Sequence, residues 1–244
     1  MREFANSNVI VLGAGNSIGQ AVTTAFLRQG ARVIAADGAT AALAGLVPEP
    51  GQPGTLHHVT VDPSDPLAFM RACDELAGDI DVLVCTAPPI DHVRVLEMPA
   101  SAMRDIIERE LVTPALIMQE AARRMVAKGC GRIVVFCSMS GKTGVHTNVA
   151  PFAAAKGGLL AYLRVMAAEL AAAGVTVNAV ATSLFESQVA SLAPDERQEL
   201  TRGIPVRRFG RADEAAHAAL FLASRNAAFI TGETLNLSGG RFMD

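Results

Sequence analysis

The chain has 244 residues, of which half are hydrophobic and 18% are charged, and its formal net charge is -3. This balance leaves no basic surface for nucleic acid, and no uncharged apolar stretch reaches the roughly 18 residues that a membrane-spanning helix needs. The start of the chain runs into a strand-like segment without a signal-peptide core, so we expect a cytoplasmic protein with one domain over residues 1–244.

Short runs rich in β-branched residues alternate with longer segments rich in alanine and leucine. This alternation predicts a parallel sheet with helices on both faces. Seven strands joined by crossover helices describe an α/β fold with a Rossmann-type doubly wound sheet. The predicted strands are residues 8–12, 32–36, 56–61, 82–85, 132–137, 175–180 and 234–237. The proline-rich residues 48–54 are predicted to form a surface loop.

The first predicted strand leads into a glycine-rich loop, residues 13–19, that opens a helix. Glycines here let the backbone turn tightly and approach a pyrophosphate at the positive end of the helix. Asp37 ends the second strand, where a carboxylate can bind an adenosine ribose and repel a 2'-phosphate, which favours NAD over NADP. The alternative is that Asp37 is a solvated strand-end residue.

Four cysteines occur, and none has metal-ligand or Cys-x-x-Cys spacing, so we expect no metal site. Cysteine behaves as a small hydrophobe, which predicts buried free thiols. The residues are Cys73, Cys85, Cys130 and Cys137.

From Val9 to Gly240 the chain resembles a single-domain short-chain dehydrogenase/reductase. The family's first motif, Thr-Gly-x-x-x-Gly-x-Gly, corresponds here to Leu12, Gly13, Ser17 and Gly19, so a serine stands at the middle glycine. The resemblance implies that Asp62 contacts the adenine, with a helix N-cap ahead of Pro63 as the alternative role. It also implies that Ser187 replaces a threonine beside the nicotinamide. The cofactor-binding residues that it implies are Gly13, Gly15, Ser17, Ile18, Gly19, Asp37, Asp62 and Ser187.

The family's active site implies an Asn, a Ser, a Tyr and a Lys in that order. Ser138 and Lys156 match the serine and the lysine, whereas Phe152 stands at the tyrosine position and Glu110 at the asparagine position. Phe152 has no hydroxyl and cannot move the proton that accompanies hydride transfer. Glu110 is expected either to form a static ion pair with Lys156 or, after a small register shift, to point to solvent.

Further departures lie around the same site. The family's Asn-Asn-Ala-Gly is Cys85-Thr86-Ala87-Pro88, followed by Pro89, and its Pro-Gly after the sixth strand is Thr182-Ser183. A proline pair removes backbone donors beside the cofactor. Together with Phe152, these changes predict that the old chemistry is lost and that NAD binding is weakened or lost.

Two side chains near Phe152 in the sequence, Tyr162 and His146, carry groups that can donate a proton. Tyr162 lies about 15 Å along the helix from Phe152 and cannot reach the site. His146 lies in the loop between Ser138 and Phe152 and has a pKa suited to neutral acid-base work, although such a loop histidine can also be an exposed bystander.

The segment 153–173 is apolar around most of its circumference, so one sheet face cannot cover it. We therefore expect a subunit interface formed by the helices at 101–128 and 152–173, with a buried helix in a monomer as the alternative. The partner is either an identical chain or an active paralogue.

Three functions remain open. The first is a non-catalytic subunit beside an active paralogue. It resembles heteromeric members of the family with one degenerate subunit, such as the two-subunit hydroxyacyl-CoA-type dehydrogenase of anaerobic toluene degradation. The second is an active NAD-dependent oxidoreductase that takes its proton from His146, water or substrate. The third is cofactor-free chemistry like that of halohydrin dehalogenases. The Tyr and Arg of their active site are absent at the matching positions of this chain.

Overall fold

A seven-stranded parallel sheet forms the centre of the protein, with the strand order β3-β2-β1-β4-β5-β6-β7. The computed structural model describes residues 2–62, 65–86, 90–144 and 146–243. The predicted fold class is confirmed, and each strand lies within two residues of its predicted ends. The strands are β1 (Asn8–Leu12), β2 (Arg32–Asp37), β3 (Thr55–Thr60), β4 (Val82–Cys85), β5 (Gly131–Ser138), β6 (Val175–Thr182) and β7 (Thr234–Leu237).

Helices cover both faces of the sheet, because successive strand residues point to opposite sides and both sides are apolar. On one face Val9 and Val11 pack with α1 and α9, and on the other Ile10 packs with α3, α5 and α7. The helices are α1 (Ser17–Arg28), α2 (Thr40–Leu43), α3 (Pro66–Ala77), α4 (Ala100–Ile107), α5 (Thr113–Lys128), α6 (Met139–Thr143), α7 (Ala150–Leu170), α8 (Pro194–Arg202) and α9 (Ala212–Ala223).

Helix α1 starts from the glycine loop. Asn16 is its N-cap, and the side-chain Oδ1 accepts a hydrogen bond of 2.9 Å from the Gly19 amide. A Cβ on Gly19 would lie 2.2 Å from the Gly13 carbonyl oxygen, so only glycine allows the loop to close on itself. The loop is therefore shaped by packing within the chain as well as by any ligand.

Helix α3 begins after Asp65, whose side chain accepts a hydrogen bond from the Ala68 amide, with Pro66 in the first turn. Pro is well tolerated there because its missing N–H would have no partner. The alternative role of Asp62 as a cap ahead of Pro63 is therefore wrong, and Pro63 itself lies outside the described residues.

The segment predicted as one helix over 101–128 is interrupted. Helices α4 and α5 are joined by a π-helical segment, Glu108–Val112, in which each turn contains an extra residue. The segment predicted at 152–173 is also shifted, since α7 begins at Ala150 and a 3₁₀ turn, Ala171–Ala173, follows it. The π-helical segment matters for function because it carries Glu110.

All four cysteines are free, and three of them are buried. The prediction of a buried thiol is wrong for Cys130, which is exposed in the turn that precedes β5. Within the described ranges, no three potential ligands from His, Cys, Asp and Glu are grouped to hold a metal. In the same ranges, no helix combines the length and the apolar character needed to cross a membrane.

Candidate functional site

A cleft with a volume of about 500 Å³ lies at the carboxyl ends of the strands. It lies beside Leu12 of β1, Asp37 of β2 and Cys85 of β4. The chain order reverses between β1 and β4, and such switch points are where open α/β sheets bind ligands. The cleft extends from the end of β2 to Lys156 on α7.

Asp37 closes one end of the cleft with contacts inside the chain. Its Oδ2 accepts a hydrogen bond of 3.0 Å from the Gly15 amide, and its Oδ1 accepts one of 3.2 Å from the Ala39 amide. Ala42 of α2 packs so closely on the loop that a Cβ on Gly15 would lie 2.4 Å from its methyl group. The carboxylate that could hold a ribose is thus already hydrogen-bonded.

Ser17, at the altered glycine position, reaches across to the segment after β6. Its Oγ donates a hydrogen bond of 2.7 Å to the Oγ of Ser187, which lies in the 3₁₀ turn Glu186–Gln188. The loop is also tied to the end of β4, because the Asn16 side chain donates to the Thr86 hydroxyl over 2.8 Å. These contacts tie the glycine loop to the segment after β6 and to the end of β4.

The other predicted cofactor contacts are less involved in the cleft. Ile18 is half-buried and packs on the α1 side of the core. Asp62 is exposed after β3, and its backbone carbonyl accepts a hydrogen bond of 3.1 Å from the Asp65 amide. A contact of Ile18 with the cofactor, and of Asp62 with its adenine, stays a prediction.

Glu110 and Lys156 form a buried ion pair at the other end of the cleft. The side chains are 0% and 3% exposed, and Lys156 Nζ lies 3.0 Å from Glu110 Oε2. This contact is an ion pair without the alignment of a hydrogen bond. The π-helical segment therefore turns Glu110 inward toward Lys156, and the alternative that it points to solvent is wrong.

Arg109 extends the ion pair to the surface. Its Nε donates to Glu110 Oε1 over 3.1 Å, and its Nη2 donates to Asp91 Oδ2 over 2.5 Å. These two carboxylates raise the pKa of Arg109 against the opposing effect of burial, the largest single influence on it. Neither Arg109 nor Asp91 was predicted from the sequence. Arg109 could have been suspected because it adjoins Glu110, whereas no motif includes Asp91.

Phe152 is 2% exposed, and its ring lies in an apolar cluster. Lys156 Nζ lies 5.7 Å from the ring centroid, within the range of a cation–π contact. The ring offers no group that can exchange a proton. Its apolar neighbours are Ile90, Met98, Ile106 and Val149.

Ser138 ends β5 and caps α6, with its hydroxyl accepting a hydrogen bond of 3.1 Å from the Ser140 amide. His146 is bonded nearby, its Nδ1 lying 2.8 Å from the Ser140 hydroxyl, and it borders a separate cavity of about 300 Å³. Burial and the positive charge of Arg241 lower the pKa of His146. The structure thus brings His146 close to the segment after Ser138 and places it on the wall of a different cavity from Lys156.

Three other ionisable side chains in the described part of the chain have raised pKa values. The Tyr162 hydroxyl donates to the Ala115 carbonyl over 3.4 Å, and burial raises its pKa. Burial also raises the pKa of Cys85 to about 12 and that of Cys137 to about 11, so both remain thiols at neutral pH.

Two other residues that depart from the family pattern, Thr182 and Thr86, make hydrogen bonds beside the site. The Thr182 hydroxyl donates to the Cys137 carbonyl over 3.1 Å, which holds β6 to β5 beside the site. Thr86 donates to the Gly13 carbonyl over 2.8 Å. Ala87, Pro88 and Pro89 lie outside the described residues.

Three groups that could hold a dinucleotide are therefore engaged within the chain. Asp37 accepts from Gly15, Ser17 donates to Ser187, and Lys156 faces Glu110. The Asp37 carboxylate keeps lone pairs for a ribose hydroxyl, whereas a dinucleotide that used Ser17 or Lys156 would have to compete with their present partners.

Known proteins are similar to this chain in sequence and in fold. A family model described as enoyl-(acyl carrier protein) reductase matches residues 13–241. The chain is 32% identical over 244 residues to 3-oxoacyl-[acyl-carrier-protein] reductase FabG of Salmonella typhimurium, covering 98% of this chain and 99% of that protein. It is 35% identical over 239 residues to the protein of the same name from Vibrio harveyi, covering 96% of each. The solved structure of a short-chain type dehydrogenase/reductase from Mycobacterium marinum aligns with a TM-score of 0.89 at 26% identity, covering 100% of this chain and 98% of that one.

Proposed function

The chain belongs to the short-chain dehydrogenase/reductase superfamily of oxidoreductases, and from this premise we propose that it is a non-catalytic subunit that pairs with an active paralogue. The active partner would be an alcohol or hydroxyacyl-CoA-type dehydrogenase. In this account the chain keeps the scaffold of the family and no longer performs its proton transfer.

The main support for this proposal comes from Phe152 and Glu110, the two residues that contact Lys156. Phe152 presents only an apolar ring, and Glu110 holds the ammonium group in a buried ion pair. In the family pattern the lysine assists a tyrosine hydroxyl. At the matching positions of this chain, Phe152 has no hydroxyl and Lys156 is paired with Glu110. Loss of general acid-base assistance alone costs roughly 10²–10⁴-fold in rate.

Weakened or absent NAD binding is a second part of the proposal. It is supported by the contacts of Ser17 and Lys156, because a dinucleotide would have to compete with their present partners, Ser187 and Glu110. The Ser17–Ser187 contact is exposed and individually weak, so the buried ion pair provides the larger barrier.

The surface for the partner is proposed at 101–128 and 152–173. The first segment presents four large apolar side chains to solvent and the second presents Val165, and exposed apolar patches mark interaction surfaces. The exposed residues are Met103, Val112, Leu116, Val126 and Val165.

The names of the relatives favour a second candidate, an active reductase of 3-oxoacyl thioesters. Identities of 32% and 35% extend over almost the whole chain. Such an enzyme would take its proton from His146 or from water, because Phe152 cannot supply it. A pH-rate profile that disappears in His146→Ala would support this candidate.

Turnover and native mass together test the proposal. The purified chain is mixed with NADH or NADPH and an acetoacetyl thioester, and we expect no oxidation of the nicotinamide above the rate without protein. From its native source we expect the chain to purify with a second, catalytic subunit of the family. Turnover by the isolated chain, or a native assembly of this chain alone, would overturn the proposal.

A further inference from the structure

The wall of the cleft carries both signs of charge, and each charge is paired. Asp37 accepts two backbone hydrogen bonds, and Arg109 and Lys156 are the cationic side chains that line the described cavity. Glu110 lies between these two cations, with one oxygen 3.1 Å from Arg109 Nε and the other 3.0 Å from Lys156 Nζ.

An anionic ligand meets an obstacle in this arrangement. To use either cation it would have to compete with a carboxylate that is 0% exposed and cannot be rehydrated where it lies. Asp91 already occupies the outer side of the Arg109 guanidinium over 2.5 Å. Because the Arg109 side chain is 42% exposed, this barrier to an anion is strongest at the buried Lys156.

A neutral ligand meets no such obstacle. Much of the remaining wall is aliphatic, and burial of apolar surface needs no charged partner. The aliphatic residues include Leu12, Ala39, Val61, Pro114 and Leu159. A cavity of about 500 Å³ has room for a ligand of two or three rings.

We infer that Glu110 determines the ligand class of this cleft, which accepts a neutral, largely apolar ligand and rejects an anionic one. The inference rests on the proposed function, because it concerns what the cleft binds once a dinucleotide is no longer its ligand. Glu110 acts in this scheme as a built-in counter-ion for Arg109 and Lys156.

Two dyes with the same ring system test the inference. N-phenyl-1-naphthylamine is neutral, and 1-anilinonaphthalene-8-sulfonate adds one sulfonate to the same body. Both fluoresce on entering an apolar site, and the chain has no tryptophan and one tyrosine, so intrinsic emission does not interfere. We expect saturable binding of the neutral dye and no saturable binding of the sulfonate to the wild-type chain.

Substitution of Glu110 should change this selectivity. In Glu110→Gln the two cations lose their internal counter-ion, and we expect affinity for the sulfonate to rise tenfold or more, as for a hydrogen bond to a charged group. The neutral dye should bind as before. Glu108→Gln is the matched control, because Glu108 is exposed two residues earlier in the same segment. If Glu110→Gln does not fold, the comparison of the two dyes on the wild-type chain, with the Ala39→Trp variant described next, still decides the inference.

The position of the dye is tested by obstruction. Ala39 is exposed at the rim of the cleft, so Ala39→Trp should weaken the neutral dye. His217→Trp, in a separate groove between α1 and α9, should leave it unchanged.

Wild-type binding of the sulfonate at least as tight as that of the neutral dye would overturn the inference. An equal gain of affinity for the sulfonate in Glu108→Gln and Glu110→Gln would also overturn it. Unchanged binding of the neutral dye to the Ala39→Trp variant would do the same. These outcomes are distinct from failure of the proposed function, which would appear as nicotinamide turnover by the isolated chain.

Discussion

The buried ion pair makes a quantitative prediction about stability. Glu110 and Lys156 are 0% and 3% exposed and lie 3.0 Å apart, so neither charge has water as an alternative partner. Removal of Glu110 leaves the buried Lys156 uncompensated, which costs about 3–5 kcal/mol, so we expect Glu110→Gln to lower the free energy of unfolding by that amount. Lys156→Met should cost less, because Arg109 still pairs with Glu110.

The double variant distinguishes the ion pair from ordinary packing. Replacing both partners removes both buried charges, and such replacements are often neutral. We expect Glu110→Gln/Lys156→Met to lie within about 1 kcal/mol of the wild-type chain. Urea unfolding at fixed protein concentration measures all three variants.

A matched control is the exposed pair Arg94–Glu97, whose side chains are 72% and 61% exposed at 3.1 Å. Glu97→Gln should change the free energy of unfolding by less than about 1 kcal/mol. If the double variant loses as much free energy of unfolding as the two single variants together, the effects are additive. That result would refute the reasoning that these charges compensate each other.

Other side chains make three further predictions. Ellman's reagent should titrate one thiol per folded chain, the exposed Cys130, and four after denaturation, since burial raises the pKa of the other three to about 11 or 12. The imidazole of His146 should titrate below 6.5 by NMR, because burial and Arg241 lower its pKa. The unfolded chain then binds this proton more readily, so stability falls as the pH drops below 6.5, and His146→Gln should reduce that loss. Phe152→Tyr alone should leave the chain inactive toward NADH and an acetoacetyl thioester because Lys156 stays paired, whereas Phe152→Tyr/Glu110→Asn should give the higher rate of the two.

The strands could be read from the sequence because each is a short β-branched run buried on both faces, as in Val175–Thr182. The interruption at Glu108–Val112 could not, because a π-helical segment has no periodic signature and its residues are good helix formers. That interruption decides which way Glu110 points, so the sequence left two orientations open.

Local motifs predicted the positions of Ser138, Phe152 and Lys156, because these residues follow a strand and open a helix. The contacts of Asp37 with Gly15 and of Ser17 with Ser187 join segments far apart in the chain, and such pairings become visible only in the folded structure. The subunit interface at 101–128 and 152–173 stays a prediction, since it concerns a second chain.

The most direct test of the central claim is a calorimetric titration of the purified chain with NAD and with NADH. Because Lys156 is held by Glu110 and Ser17 by Ser187, we expect no saturable heat at concentrations up to about 1 mM. Saturable one-to-one binding of NADH with a dissociation constant in the micromolar range would contradict the claim that the cleft no longer serves a dinucleotide.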